Sequence, residues 1–325
     1  MSTSIITFNQ ILIIFIIIAI GVICYKTKLI DDETNSKLSN ILLQLVNPMV
    51  IFVSYQREFE RDLLEGLLVS LLLSIITHLV SILISYLLIR KKRIKREIID
   101  GVKVKRYVKN DDVEVERMSC IYSNVAFMGI PLMNGIFGSE GVFYATASIT
   151  IFNVFLWTHG VMMMSGSEKW DLKSILKKLA SPSIIAIILG MICFLFQIKV
   201  PAIVNDAFQQ IANLNTPFAM LIAGVTIGKT DFKRIFTNYR IYFIAFLKLL
   251  FIPGVLLLIY SLFPIDYKVF TTAVILAGAP MATTGILFAI KYEKNAVYSA
   301  EIFTVTTLLS AVTIPTLVMF TSLLS

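Results

Sequence analysis

The sequence predicts an all-α polytopic membrane protein, with ten transmembrane helices arranged as a five-plus-five inverted repeat. Three observations carry that expectation. The 325-residue chain is 57% hydrophobic and 15% charged, with a mean hydropathy of +0.82, whereas soluble domains carry about a quarter charged residues. Its apolar runs approach the roughly 20 residues that a bilayer requires, and the short connections leave no room for a separate globular domain. Lys and Arg also alternate from side to side, 24 of the 29 falling in every other connection, which is the asymmetry of positive-inside topology. A water-soluble enzyme is excluded, and the net charge of +8 reads as an orientation signal rather than a nucleic-acid footprint.

Taken in order, the runs are residues 5–25, 38–54, 64–89, 118–137, 142–164, 183–200, 203–227, 241–262, 270–290 and 297–324. The first lacks a basic leader and a small-residue cleavage site, so it reads as a retained helix. Basic residues number 3, 11, 4, 4 and 2 in the connections after runs one, three, five, seven and nine, against only Arg57, Arg61, Lys199 and Lys268 on the other side. Both termini are therefore expected outside the cell membrane. The connection 90–117 holds the eleven; it reads as a solvated orientation signal, with anionic lipid heads or a cytosolic partner as the other reading. Residues 170–179, where Leu172, Ile175 and Leu176 oppose Lys173, Lys177 and Lys178, read as an amphipathic surface helix. It lies in a cytosolic linker, 165–182, between repeats 1–164 and 183–325.

The prolines mark the repeat. Run two holds Asn47-Pro48 and its counterpart, run seven, Asn215-Thr216-Pro217; run four holds Gly129-Ile130-Pro131 and run nine Gly278-Ala279-Pro280. An odd number of spans per half makes the halves enter from opposite sides. Proline within a span removes a backbone donor and frees a carbonyl, which hydrocarbon tolerates only beside protein or a cavity. Interrupted helices at matched positions thus mark a midplane site, whose half-helix N-termini suit a carboxylate.

Candidate site residues follow from that crossing: Ser123, Asn124 and Pro131 in run four, and Pro280, Thr283 and Thr284 in run nine. Asn153, an amide inside run five, is a further substrate ligand or an interhelical bond. Lys248 is the one basic residue well within a run and reads as a counter-charge to a carboxylate, a coupling group, or a side chain snorkelling to the surface. His159, and less so His78, are candidate proton relays. No Asp or Glu falls mid-run, which disfavours a paired-carboxylate cation exchanger. Cys24, Cys120 and Cys193 lie in apolar runs without ligand spacing, and no nucleotide loop, zinc helix or nucleophile elbow is present. No cofactor, metal or nucleic-acid partner is expected, and ATP is not the expected energy source.

The stretch Ser123-Asn124-Val125-Ala126-Phe127-Met128-Gly129-Ile130-Pro131-Leu132, with Gly138 and Gly141, resembles the fourth span of the auxin efflux carrier family. Asn47-Pro48, Pro217 with Gly224, Lys248 with Pro253, and Ala279-Pro280 through Tyr292 extend the resemblance along nearly the whole chain. The resemblance implies an NhaA-like ten-helix inverted repeat with crossed fourth and ninth spans and an elevator mechanism. Spans one, two, six and seven would form the scaffold and homodimer contact, and spans three to five and eight to ten the transport domain. It implies a substrate amide at Asn124. The long inter-half loop and the ninth-span site amide of plant members have no match here, so auxin itself is not the implied cargo. The expected function is a secondary carrier of small carboxylates such as malate or malonate, with membrane lipids as its surroundings. Two other readings stay open, a cation or proton exchanger on the same fold and a membrane receptor or scaffold acting through the basic connection.

Overall fold

The computed structural model describes residues 3–99, 102–166 and 180–324. The helices follow the apolar runs: α1 (Thr3–Lys26), α2 (Asp32–Ser54), α3 (Arg61–Leu88), α4 (Val113–Ile121), α5 (Val125–Ser165), α6 (Pro182–Phe196), α7 (Ala202–Gly228), α8 (Phe232–Thr237), α9 (Tyr239–Tyr260), α10 (Tyr267–Ala277), α11 (Thr284–Lys291) and α12 (Ala296–Leu324). Among the described residues seven of them, α1, α2, α3, α5, α7, α9 and α12, are long and apolar enough to cross a membrane, and α6 and α10 are shorter apolar helices. The predicted surface helix at 170–179 lies outside the described residues.

Local chemistry sets the boundaries. The second helix starts at Asp32 rather than at residue 38, because the Asp31 carboxylate accepts the Thr34 N–H at 2.8 Å and Asp32 and Glu33 occupy the first turn, where acidic groups complement the helix dipole. Ser181 caps α6 through the Ile184 N–H, with Pro182 in its first turn.

The 41-residue α5 doubles back at Gly138. Gly138 has φ 62° and ψ −150°, open to glycine alone, and a Cβ on Gly141 would stand 2.7 Å from the Met133 carbonyl oxygen. The two limbs correspond to the predicted runs 118–137 and 142–164. Proline has a different effect from the one expected. Helix-breaking was expected at Pro131, yet π turns at Leu42–Val46, Val125–Gly129 and Leu247–Phe251 each end two residues before a proline, Pro48, Pro131 and Pro253. The wider turn relieves the clash between the ring and the preceding-turn carbonyl, so the helix continues through Pro131.

Packing is closest between α1 and α7, where a Cβ on Gly21 would meet the Leu221 carbonyl oxygen at 2.5 Å and one on Gly224 the Ile18 oxygen at 2.2 Å. Small residues that let backbones approach are the usual device for joining helices in lipid. Polar contacts sort the connections into two ends. At the basic-rich end Lys229 pairs with Asp32, Arg234 with Glu301 and Arg240 with Glu116. At the opposite end Arg57 donates to the Ser139 hydroxyl at 2.8 Å and Lys268 pairs with Glu140 at 2.7 Å.

The connection 90–117 is not a plain solvated loop. It contains an antiparallel hairpin, β1 (Lys92–Ile99) and β2 (Val102–Lys109), and the first turn of α4. Arg117, counted among its orientation charges, is buried and donates to the Ile89 carbonyl from Nε at 3.0 Å and Nη2 at 2.8 Å.

Candidate functional site at the helix crossing

Two helices are interrupted at one point. The helical path stops after Ile121 and resumes at Val125; it stops again after Ala277 and resumes at Thr284. The unwound segments run antiparallel: the Asn124 N–H donates to the Pro280 carbonyl at 2.8 Å, the Ala282 N–H donates to the Tyr122 carbonyl at 2.9 Å, and Ser123 bridges Met281. Each break satisfies backbone groups of the other, which is the condition for irregular backbone in an apolar bundle.

A cavity of about 260 Å³ opens beside the crossing. Its wall brings together Ser123, Asn124, Asn153, Thr283 and Thr284 with Phe152 and Trp157. Asn124 ends the first break with φ −79° and ψ 62°, and the helix starts at Val125 and Thr284 carry no side-chain cap. The Thr284 hydroxyl is buried without a hydrogen-bond partner among the described residues. Asn153 is half-committed, since its Nδ2 donates to the Ile149 carbonyl of its own helix at 2.8 Å.

The remaining candidates fall outside this wall. Pro131 is buried two residues past the π segment and does not line the cavity. Pro280 takes part through its carbonyl, which holds Asn124. Lys248, 1% exposed, stands behind the wall: Nζ donates to the Ser123 hydroxyl at 2.5 Å and to the Ala277 carbonyl at 3.1 Å. It is fixed on the first break and on the last turn of α10, not reaching for the surface. His159 sits between two phenols, Nδ1 3.0 Å from the Tyr122 hydroxyl and Nε2 3.3 Å from the Tyr86 hydroxyl. His78 bonds the Ser74 carbonyl at 2.8 Å and stacks on Phe155.

Several residues were not among the sequence candidates. Asn40 and Gln44 present amides to the cavity from α2; their four-residue spacing in an apolar run is the signal that could have found them. Tyr122, in the first break, donates to the Phe155 carbonyl at 2.9 Å and ties the crossing to α5. Glu116 is fully buried at the basic-rich end, where Arg240 meets it with Nε at 2.7 Å and Nη2 at 2.8 Å, joined by Asn110 at 2.8 Å and Tyr298 at 3.3 Å. Both partners read as connection charges in the sequence, and nothing in their spacing pairs residues 124 positions apart.

Apolar helices interrupted in pairs beside a largely apolar cavity that carries a few amides and hydroxyls define a membrane transport protein. A family model described as Mem_trans, membrane transport protein, matches residues 6–318, and the chain belongs to that family, the auxin efflux carrier family. It is similar to the uncharacterized transporter YfdV of Escherichia coli strain K12, with 25% identity over 178 residues, 52% of this chain and 55% of that protein. The same figures hold for YfdV of Escherichia coli O157:H7 and of Shigella flexneri. The chain thus spans about half the length of the curated relatives it matches.

Proposed function

We propose that this protein is a secondary carrier of a small organic anion, a carboxylate such as malate or malonate, working in the cell membrane by an elevator-type mechanism. The observation that carries the reading is the cavity at the crossing. There the Asn124 amide and two uncapped helix starts border one volume, with the unpartnered Thr284 hydroxyl buried in its wall. Donors so placed replace the water shell of a carboxylate, and helix N-termini favour negative charge.

Lys248 supports an anion over a cation as cargo. Its Nζ occupies the Ala277 carbonyl freed where α10 ends, a position where a cation exchanger would need an open oxygen ligand. A positive side chain held one hydrogen bond from the wall lowers the cost of bringing an anion into low dielectric.

In this reading the chain crosses the membrane ten times with both termini outside, and its halves are inverted repeats. Pairing between counterpart stretches supports this: Asn215 Nδ2 in run seven donates to Asn47 Oδ1 in run two at 2.6 Å. A pseudo-two-fold axis brings equivalent positions together in this way. Helices α1, α2, α6 and α7 form the scaffold, joined by the Gly21–Gly224 contact and carrying the homodimer face, and the remainder moves. The two groups are latched at the outer end by Tyr55 on Thr146 at 2.6 Å and Arg57 on Ser139. Asn40 and Ser181 border the cavity toward the other end, so this is an inward-facing arrangement.

Counterflow of labelled mono- and dicarboxylates into liposomes containing the purified protein tests the function. Exchange of at least one carboxylate, lost in Asn124→Ala, is the expected result; no flux of any anion, or flux of sodium or protons alone, defeats the reading.

A further inference from the structure

The hairpin β1–β2 is built from eight basic residues and one acidic residue, Glu97. Its backbone register pairs like-charged residue types: Lys92 with Lys109, Lys95 with Arg106, and Arg96 with Lys105. Opposed like charges destabilise a strand pair, and a lone two-stranded hairpin is marginal in water without further packing. Anions along such a hairpin would offset that repulsion.

The base of the hairpin identifies which anions are within reach. The Asn110 N–H donates to the Lys91 carbonyl at 2.8 Å, closing the base, and the Asn110 side chain donates to buried Glu116 at 2.8 Å. Arg117 clamps the Ile89 carbonyl just past the end of α3. The eight-residue strands therefore start within a few residues of two membrane-helix ends and extend at most about 26 Å from them, at about 3.3 Å per residue. The extended anionic surface always present at that range is the headgroup layer next to those helix ends. A nucleic acid or an acidic protein would have to be recruited.

We propose that the hairpin docks on anionic phospholipid headgroups of the cytosolic leaflet, which supply the counter-charge its register requires. The hairpin base is tied through the Asn110 side chain to Glu116 of α4, the helix that ends in the Tyr122–Asn124 break. Docking therefore anchors that helix to the leaflet surface.

The test compares full-length protein in nanodiscs of phosphatidylcholine alone and of phosphatidylcholine with about a third phosphatidylglycerol, reading hydrogen exchange of the amides in residues 92–109. Exchange is expected to slow by about tenfold or more in the anionic discs, since each basic residue at the surface contributes about fivefold. That protection should be lost in Lys95→Gln/Arg96→Gln/Lys105→Gln/Arg106→Gln, and at about 0.5 M salt, where the screening length shrinks to a few ångströms. It should be kept when the same four positions exchange Lys for Arg and Arg for Lys. Unchanged exchange in α7 and α12 verifies that the variants are folded. Equal hairpin exchange in the two kinds of disc overturns the proposal, and so does protection that follows added RNA but not anionic lipid.

Discussion

The two helix breaks meet at one point but are built differently. The first, residues 122–124, is three residues long, and each is held: Tyr122 by its hydroxyl on Phe155, Ser123 by Lys248, Asn124 by its N–H on Pro280. The second, 278–283, is twice as long; its Met281 N–H donates to the Thr306 hydroxyl at 3.3 Å, and it ends beside Thr284, whose hydroxyl has no partner among the described residues. One break is a fixed frame, and the other keeps hydrogen-bonding capacity in reserve. In the proposed carrier the rigid frame sets selectivity, and the unspent hydroxyl becomes available to cargo only when the second break moves.

Removing the tie that fixes the frame should have the largest effect. Lys248→Met deletes the hydrogen bonds to Ser123 and Ala277 together with a positive charge. A unit charge about 6 Å from a carboxylate at an effective dielectric near 20 contributes about 3 kcal/mol, or about a hundredfold in affinity. We expect anion counterflow to fall by about that factor in Lys248→Met and to be partly retained in Lys248→Arg, at matched protein levels. Full transport by Lys248→Met would remove the charge from the mechanism and leave Lys248 a packing residue. Normal binding with altered pH or sodium dependence would instead place it in coupling.

Within the frame, Asn124→Ala should weaken cargo affinity by about tenfold or more, the value of one charged hydrogen bond of about 1.5 to 3 kcal/mol. The fold should be unaffected, since the backbone N–H rather than the amide side chain makes the crossing contact. A thermal-shift titration reads both quantities at once. In the second break, Thr284→Val removes a hydroxyl that has no partner among the described residues. Stability should stay the same or rise by about 1 kcal/mol, while affinity falls by about fivefold. A variant that loses stability and keeps affinity would show that the hydroxyl is structural, and the contrast between frame and reserve would fail.

The sequence disclosed the apolar helices and the polar residues that stand beside the crossing because hydropathy and polar groups within apolar runs are local signals. Asn124, Thr283 and Thr284 stand out wherever an apolar run carries an amide or a hydroxyl beside Gly and Pro. It was less informative about how proline acts. Pro131 and Pro280 look alike in sequence, yet one follows a π turn in a continuous helix and the other lies in unwound chain. The difference is set by the tertiary partners of Tyr122, Ser123 and Asn124, which no spacing rule contains. Glu116 and Arg240 were invisible for the same reason: each reads as an end-of-helix charge, and only the bundle makes them a buried bidentate pair.

The smallest effect is expected from the continuous wall facing the two breaks. Asn153 lies on α5 and borders the cavity, but its Nδ2 already donates to the Ile149 carbonyl. Binding cargo through that donor would mean exchanging one hydrogen bond for another, and such exchanges contribute little net energy, about 1 kcal/mol or less. Asn153→Ala should therefore change affinity by less than about threefold, and Asn153→Asp should cost more than Ala because it sets a carboxylate against an anionic cargo. Competition counterflow with both variants measures the order. If Asn153→Ala proves as damaging as Asn124→Ala, recognition extends onto the unbroken helix, and selectivity cannot be assigned to the crossing alone.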